Sequence, residues 1–347
     1  MKRILLILLI CIQLAACTRP QAPDPEANEK EVRYVEAMDT FMTLTAYGSY
    51  RAQALEEAEA TIHVLDALFS IGKPNSDVSD LNRTGSGKFG ENILTVVARA
   101  LQLYEETGGC FDITVLPLME LWGFTSGDYR VPTDAQLEEA LSAVGADRIS
   151  FDSETGEIAL APGQAIDLGG IAKGYTSQEI MAGFRAVGLT SGLVSLGGNV
   201  QCLGSRPDGT PWRIGIQDPW DVEGAMVAIV EVVDRAVITS GGYERYFTDE
   251  ATGISYHHIL DPRTGRPADS GLASVSIISP DGTLADGLST ALYIMGLDAA
   301  ADYWRGHSGE FEAIFIDNDG KIYVTEGLSS SVTPVSPDTE CIVLTKS

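Results

Sequence analysis

Four short stretches concentrate the residue types that do chemistry. In residues 165–175 (AIDLGGIAKGY), Asp167 ends an apolar, strand-like run, Gly169-Gly170 make a turn, and Lys173 falls in what reads as the first turn of a helix. A helix N-terminus offers free N–H groups to an anion, and glycines let a ligand approach the backbone. Carbonyls exposed at such a turn can also ligate a hard metal. The wording is neither a P-loop nor GxGxxG, and a plain strand-to-helix connection uses the same residues. The stretch alone leaves a phosphate cradle and a packing turn equally open. In residues 257–265 (HHILDPRTG), two histidines precede an Asp-Pro-x-Thr-Gly turn. On a strand they face opposite ways, so one at most points into a given site. There it would serve as a general base near neutral pH; taken alone, the stretch favours a buried or surface structural histidine. In residues 285–291 (ADGLSTA), helical spacing sets Asp286 and Thr290 on one face. One carboxylate plus one hydroxyl is part of a Mg²⁺ site whose open positions suit phosphate oxygens; the alternative is an Asp N-cap. Residues 238–245 (ITSGGYER) read as a loop lining a substrate.

Other chemistries find little support. GxSxG, HExxH and CxxC are missing from the sequence, which leaves serine hydrolase, zinc protease and thiol redox readings without residues. The four histidines, His63, His257, His258 and His307, lack metal-site spacing, and Cys110, Cys202 and Cys341 are not a disulfide framework. A net charge of −26 argues against nucleic acid and anionic lipid as partners. A phosphate ligand would need a metal, a helix N-terminus or a few placed cations. The opening MKRILLILLICIQLAAC carries Lys2 and Arg3, an apolar run too short to span a bilayer, and Leu14-Ala15-Ala16-Cys17. Small residues before a cysteine are what a lipoprotein signal peptidase reads. The expectation is that residues 1–16 are removed and Cys17 is lipidated, the alternative being an ordinary secretory signal. The proline-rich TRPQAPDPEANEK that follows reads as a tether.

The elements that must position these groups show in the hydrophobic pattern. Leu55, Ala58, Ile62, Leu65 and Phe69 recur at helical spacing over 51–69. Residues 92–107 read as a second helix closed by Gly108-Gly109. Thr133 with Gln136 is a capping box opening a third helix to about Val144. Between them CFDITVLPLMELWGF reads as a strand-like entry and a packed segment. The second half is strand-rich, with a hairpin at 148–160 and another turning at Asn318-Asp319-Gly320. DNDG there resembles a calcium loop but lacks the rest of that motif, so it is taken as a turn. A helix is expected from Asp286 to about Trp304, and SSSVTPVSPDT reads as linker, with TECIVL after it either an edge strand or disordered. Helices alternating irregularly with hairpins predict an α+β fold.

Taken in order, these segments resemble the ApbE family of FAD:protein FMN transferases. The resemblance runs through AMDTFMTLTAYG (37–48), KPNSDVSDLN (73–82), GGCFDITVLPLMELWGF (108–124), IDLGGIAKGY (166–175), VSLGGNV (194–200), ITSGGYERYF (238–247), HHILDPRTGRP (257–267) and ADGLSTALYIMG (285–296). It implies mixed or antiparallel sheets with packed helices, in one catalytic unit of two intimate subdomains. It divides the chain into a signal peptide (1–16), a tether (17–36), the flavin transferase domain (37–328) and a tail (329–347). It implies FAD as substrate, Mg²⁺ or a similar divalent metal, transfer of FMN to a Thr or Ser hydroxyl, and release of AMP. The acceptor would be a flavoprotein subunit or FMN-binding domain of a membrane redox system, met outside the cytoplasm by an enzyme lipid-anchored to the bacterial membrane. Met38, Cys110, Phe111, Asp112, Asp167 and Lys173 would line FAD; Gly170, through its carbonyl, Asp286 and Thr290 would hold the metal; His258 would be the base. Two departures stand out: Gly72 replaces an aromatic residue common before KP, and Cys110 stands where other small residues are usual. A FAD pyrophosphatase and a flavin-binding lipoprotein without catalysis are the rival readings. A third, flavinylation of the chain itself at DGLSTA, is disfavoured by the helical setting of Thr290.

Overall fold

The computed structural model describes residues 24, 26–221, 223–337 and 339–346; the predicted signal segment 1–16 and the predicted lipidation site Cys17 lie outside the described residues. Alternation within the strands explains the layers. In Glu312–Asp317, Ala313 and Phe315 bury in one core while Ile314 and Ile316 bury in another. Successive side chains of a strand point to opposite faces, so a strand apolar at every position must be covered on both. Helices cover one face and a small sheet the other.

Among the described residues the central sheet has nine strands. Their order is Lys30–Ala37, Thr40–Tyr47, Gly192–Leu196, Asn199–Leu203, Ala236–Gly241, Leu272–Ser279, Glu312–Asp317, Ile322–Thr325 and Cys341–Leu344. Every pairing is antiparallel except the last, which is parallel. Behind it lies a three-stranded sheet of Val332–Pro334, Met226–Val232 and Trp212–Gln217. On the other face, the Arg51–Phe69 helix buries the predicted stripe of Leu55, Ala58, Ile62, Leu65 and Phe69 and packs on the Ala172–Ala186 helix. That helix in turn crosses the Gly282–Met295 helix. The fold is α+β, as the pattern predicts.

Several boundaries differ from the sequence reading. The segment after Cys110 is helical rather than strand-like: a 3₁₀ turn, Ile113–Val115, runs into the helix Leu116–Trp122. Asp112 caps this start, its side chain accepting from the Thr114 N–H at 2.7 Å. The run before Asp167 is extended but joins no sheet. Its backbone partners are the Asn82 side chain, which accepts from the Ile166 N–H (2.7 Å) and donates to the Ile166 carbonyl (2.9 Å), and the Ile113 carbonyl. The helix predicted from Asp286 to Trp304 is two, Gly282–Met295 and Leu297–Gly306, parted by Gly296 at φ 80°. Its N-cap is Asp281, whose side chain accepts from the Leu284 N–H, so Asp286 lies inside the helix. The helix after Thr133 closes at Leu141. The tether reading stops short, because Lys30–Ala37 is the first strand of the sheet and buries Val35 and Ala37. The C-terminal segment is docked rather than a free tail: Val332–Pro334 and Cys341–Leu344 both pair in sheets, the latter realising the edge-strand alternative.

Candidate active site

The site is built where two helices meet at glycine. A Cβ on Gly174 would lie 2.2 Å from the Gly282 carbonyl oxygen and 2.5 Å from Asp286 Cβ, so only glycine allows this approach. The Gly174 N–H donates to Asp286 Oδ2 at 2.7 Å, and Asn199 Nδ2 donates to Oδ1 at 2.9 Å. Burial pushes the Asp286 carboxyl up; the Lys173 charge, these two donors and the Lys173 N–H oppose it. The helix N-terminus that the sequence offered to a phosphate therefore spends these N–H groups on the protein's own carboxylate. One turn on, Thr290 Oγ1 lies 3.2 Å from Ser240 Oγ. A Cβ on Gly170 would fall 3.8 Å from the same Oγ1 and 3.3 Å from the Phe111 ring. Gly170, Phe111, Asp286 and Thr290 are thus neighbours.

The groups that could hold a metal here are all oxygen: a carboxylate, a hydroxyl and the Gly170 carbonyl. That set suits a hard cation such as Mg²⁺ that keeps positions for substrate oxygens. Asp286 is held by neutral N–H donors and no salt bridge is made to it among the described residues, so the carboxylate keeps lone-pair capacity for a cation. Among the described residues no cluster of three His, Cys, Asp or Glu is arranged to hold a metal, which leaves a nitrogen- or sulfur-rich centre without ligands.

Lys173 joins the remaining groups. Its charge favours ionisation of Asp286, Asp167 and Glu244 and disfavours protonation of His258. Burial raises Asp167 and Glu244 as well; for Asp167 the Gly169 N–H, donating at 2.8 Å, opposes this first, then Lys173 and Arg245. One lysine facing several carboxyls pushed toward neutrality makes a site able to take a further cation together with an anionic ligand.

His258 is turned to the same place. Burial, with Arg245, His257 and Lys173, lowers it to about 4, so the ring is neutral at neutral pH. Its Nδ1 lies 3.2 Å from the Arg245 carbonyl oxygen. A carbonyl only accepts, so Nδ1 carries the proton and Nε2 keeps its lone pair. The Arg245 guanidinium is tied to the Phe124 carbonyl. His257 faces away, as alternation requires. Its Nε2 meets the Ala268 carbonyl at 3.1 Å, and it lines a cavity of about 420 Å³ with Trp122, Tyr256 and Tyr293. The turn beyond is a structural anchor: Arg263 is paired to Asp261 at 2.8 Å, and Trp122 Nε1 donates to the Gly265 carbonyl at 2.8 Å.

Met38 and Asp39 form the two-residue turn between Ala37 and Thr40, with φ of 50° and 55°. Such turns favour Asn-Gly, and a long side chain there stores about 1–2 kcal/mol. The Met38 N–H is held by Asp66, and its sulfur accepts from Thr176 at 3.7 Å, which sets it over the same helix as Lys173. Cys110 and Asp112 flank Phe111 in the chain. The Cys110 thiol is buried and pushed up by burial, with Arg263 opposing. Asp112 accepts from the Thr114 N–H (2.7 Å), the Thr114 hydroxyl (2.6 Å) and the Ala146 N–H (3.2 Å), so its carboxylate serves the fold, and burial raises it. Sequence reasoning did not single out Gly174, Asn199, Glu244 or Arg245. Glu244 and Arg245 sat within a noted loop, and Asn199 within VSLGGNV.

A lysine, hard oxygen donors and a neutral imidazole gathered beside the central strands of an α+β sheet fit an enzyme of the phosphoryl-transfer type. The chain belongs to the ApbE family, whose model matches residues 38–315. It is 32% identical to the FAD:protein FMN transferase of Klebsiella pneumoniae over 85% of this chain and 87% of that one. Against the FAD:protein FMN transferase of Treponema pallidum it is 32% identical, over 80% and 81%. The ApbE protein of Thermotoga maritima superposes with a TM-score of 0.81 at 32% identity, covering 86% of this chain and 98% of that one. The Pseudomonas stutzeri flavinyl transferase ApbE gives 0.75 at 30%, covering 88% and 94%.

Proposed function

We propose that the protein moves the FMN part of FAD onto a Thr or Ser hydroxyl of an acceptor redox protein and releases AMP, with Mg²⁺ as the metal. The observation that carries this reading is the setting of Asp286, held by the Gly174 N–H and the Asn199 amide one turn from Thr290 and close to Gly170, with the charges of Lys173 and Arg245 acting on Asp167 and His258 beside it. The acceptor oxygen attacks the FMN phosphorus, a phosphoester forms, and the pyrophosphate P–O bond breaks with its electron pair leaving on AMP. The hydroxyl proton passes to His258 Nε2, the ring nitrogen left unprotonated by the Arg245 carbonyl. Lys173 neutralises part of the phosphate charge, in a chain otherwise at −26. Asp286, Thr290 and the Gly170 carbonyl would hold the metal, whose contribution when bound is Lewis-acid neutralisation of the phosphate oxygens. Met38 and Phe111 border this space, and Asp167 stands toward the cofactor.

The test is to mix the protein with FAD, Mg²⁺ and a flavoprotein subunit or FMN-binding domain as acceptor, then run a denaturing gel. A fluorescent covalent band on the acceptor supports transfer. Free FMN and AMP alone would make the protein a pyrophosphatase, and unchanged FAD would make it a binding protein. On the N-terminal sequence alone, we also propose that Cys17 carries lipid and anchors the enzyme outside the cytoplasm; palmitate labelling that survives Cys17→Ser would sink this.

A further inference from the structure

The Asn199–Leu203 strand sets Asn199 and Gln201 on one face, two residues apart. Both are buried in the sheet interior, at 4% and 2% exposure. An amide there costs free energy unless its bonds are made; Gln201 bonds through both ends and Asn199 through its NH₂ group. Gln201 Oε1 accepts from the Ser177 hydroxyl at 2.6 Å, and its Nε2 donates to Gln178 Oε1 at 2.8 Å. Gln178 Oε1 also accepts from the Gly282 N–H at 3.1 Å. Gln201 therefore fixes Gln178, which ties one helix to the start of the other. Asn199 makes a different bond, donating to Asp286 Oδ1 at 2.9 Å opposite the Gly174 N–H on Oδ2.

We propose that Asn199 is a positioning residue for the metal: it fixes the plane of the Asp286 carboxylate against the Gly174 N–H and so aims its free lone pairs. The inference rests on the reading of Asp286 as a metal ligand. An ionised carboxylate only accepts, so the Asn199 amide must present its NH₂ group. A lysine or arginine at this place would hold the carboxylate equally well but cancel the charge that draws a cation. A neutral amide orients without competing. Groups behind a metal ligand that fix its orientation typically contribute 10–100-fold in affinity. Gln201, one step along the strand, touches neither Asp286 nor another oxygen donor of the site, so its bonds serve packing alone.

The experiment is a titration of the metal-free protein with Mn²⁺, followed by calorimetry, beside a thermal melt of each variant. Asn199→Leu keeps the volume and removes the donor; it is expected to weaken Mn²⁺ about 10–100-fold. Asn199→Ala is the second variant should the first not fold. Gln201→Met is expected to lower Tm while leaving Mn²⁺ affinity within about twofold. If both Asn199 variants bind Mn²⁺ as the wild type does, or lose no more than Gln201→Met, Asn199 is structural and the proposal is overturned. Wild-type protein that binds FAD but takes up no Mn²⁺ would overturn the metal reading of Asp286 itself, an outcome visible before any variant is made.

Discussion

Two glycines on one helix should respond to the same substitution with opposite signs. A Cβ on Gly174 would stand 2.2 Å from the Gly282 carbonyl oxygen, where favourable contact begins at about 3.5 Å. Gly174→Ala therefore forces the Ala172–Ala186 and Gly282–Met295 helices apart by about 1 Å. Overpacking of this kind costs about 1–3 kcal/mol. Stretching the Gly174 N–H bond to the Asp286 carboxylate adds about 1.5–3 kcal/mol, and the better helix propensity of Ala returns about 1 kcal/mol. The net loss is about 2–5 kcal/mol. With an unfolding entropy of about 0.6 kcal/mol/K for a chain of this size, Tm falls by about 3–8 °C. Transfer should fall further than stability, because a ligand misplaced by about 1 Å can cost about 100-fold in rate. Gly183, on the same helix, has nothing within 4 Å of its would-be Cβ and no positive φ. Gly183→Ala should stabilise by about 0.5–1 kcal/mol and leave transfer unchanged. Calorimetric melts of the two variants with the gel assay give the answer. A Gly174→Ala protein melting at or above the wild type would refute the argument from close approach.

Three further outcomes follow from the site. His258 is lowered to about 4, so the unfolded chain binds its proton first as pH falls below about 6.5; stability tied to this residue is intact above that pH and is lost progressively toward pH 4. His258→Asn should flatten the fall in Tm between pH 6.5 and 4.5 while abolishing transfer. Met38→Asn relieves a strained left-handed turn, and should hold or raise Tm while FAD binding, read by fluorescence quenching, weakens. Asp112→Ala removes three internal hydrogen bonds and should cost about 1–3 kcal/mol of stability, with FAD affinity in the surviving folded protein little changed.

Elements dominated by one local rule were legible in the sequence. The stripe from Leu55 to Phe69 gave a helix with the expected bounds because periodicity and burial coincide there, and the Thr133–Gln136 capping box is present as read. Failures came where tertiary partners replaced local ones. The segment before Asp167 looks like a strand, but the Asn82 side chain supplies its hydrogen bonds, and no local pattern announces that. Met-Asp is a poor sequence for a tight turn, so the start of the sheet at Lys30 hid inside an apparent tether. In the site, the wording of the four clusters pointed to Asp286, Thr290, Lys173 and His258. The structure changed the role of the helix N-terminus, whose N–H groups fall to Asp286. Asn199 was invisible for a related reason: a buried amide beside a glycine pair reads as turn chemistry until its partner, far along the chain, is known.

The pairing of Thr40–Tyr47 with Gly192–Leu196 bears on how the molecule comes into being. The first six α-helices of the described chain lie between these two neighbouring strands, so closing the sheet requires one long loop to be gathered first. Non-local pairings of this kind slow folding. The groups around Lys173 come from both sides of that closure and from the strands and helix that follow. The helical segment can gather early, yet the site exists only once the last sheet contacts form. Ligand capture should then be the final kinetic event of refolding, and a variant slow to close the sheet would show as a lag before FAD binding rather than as weaker binding.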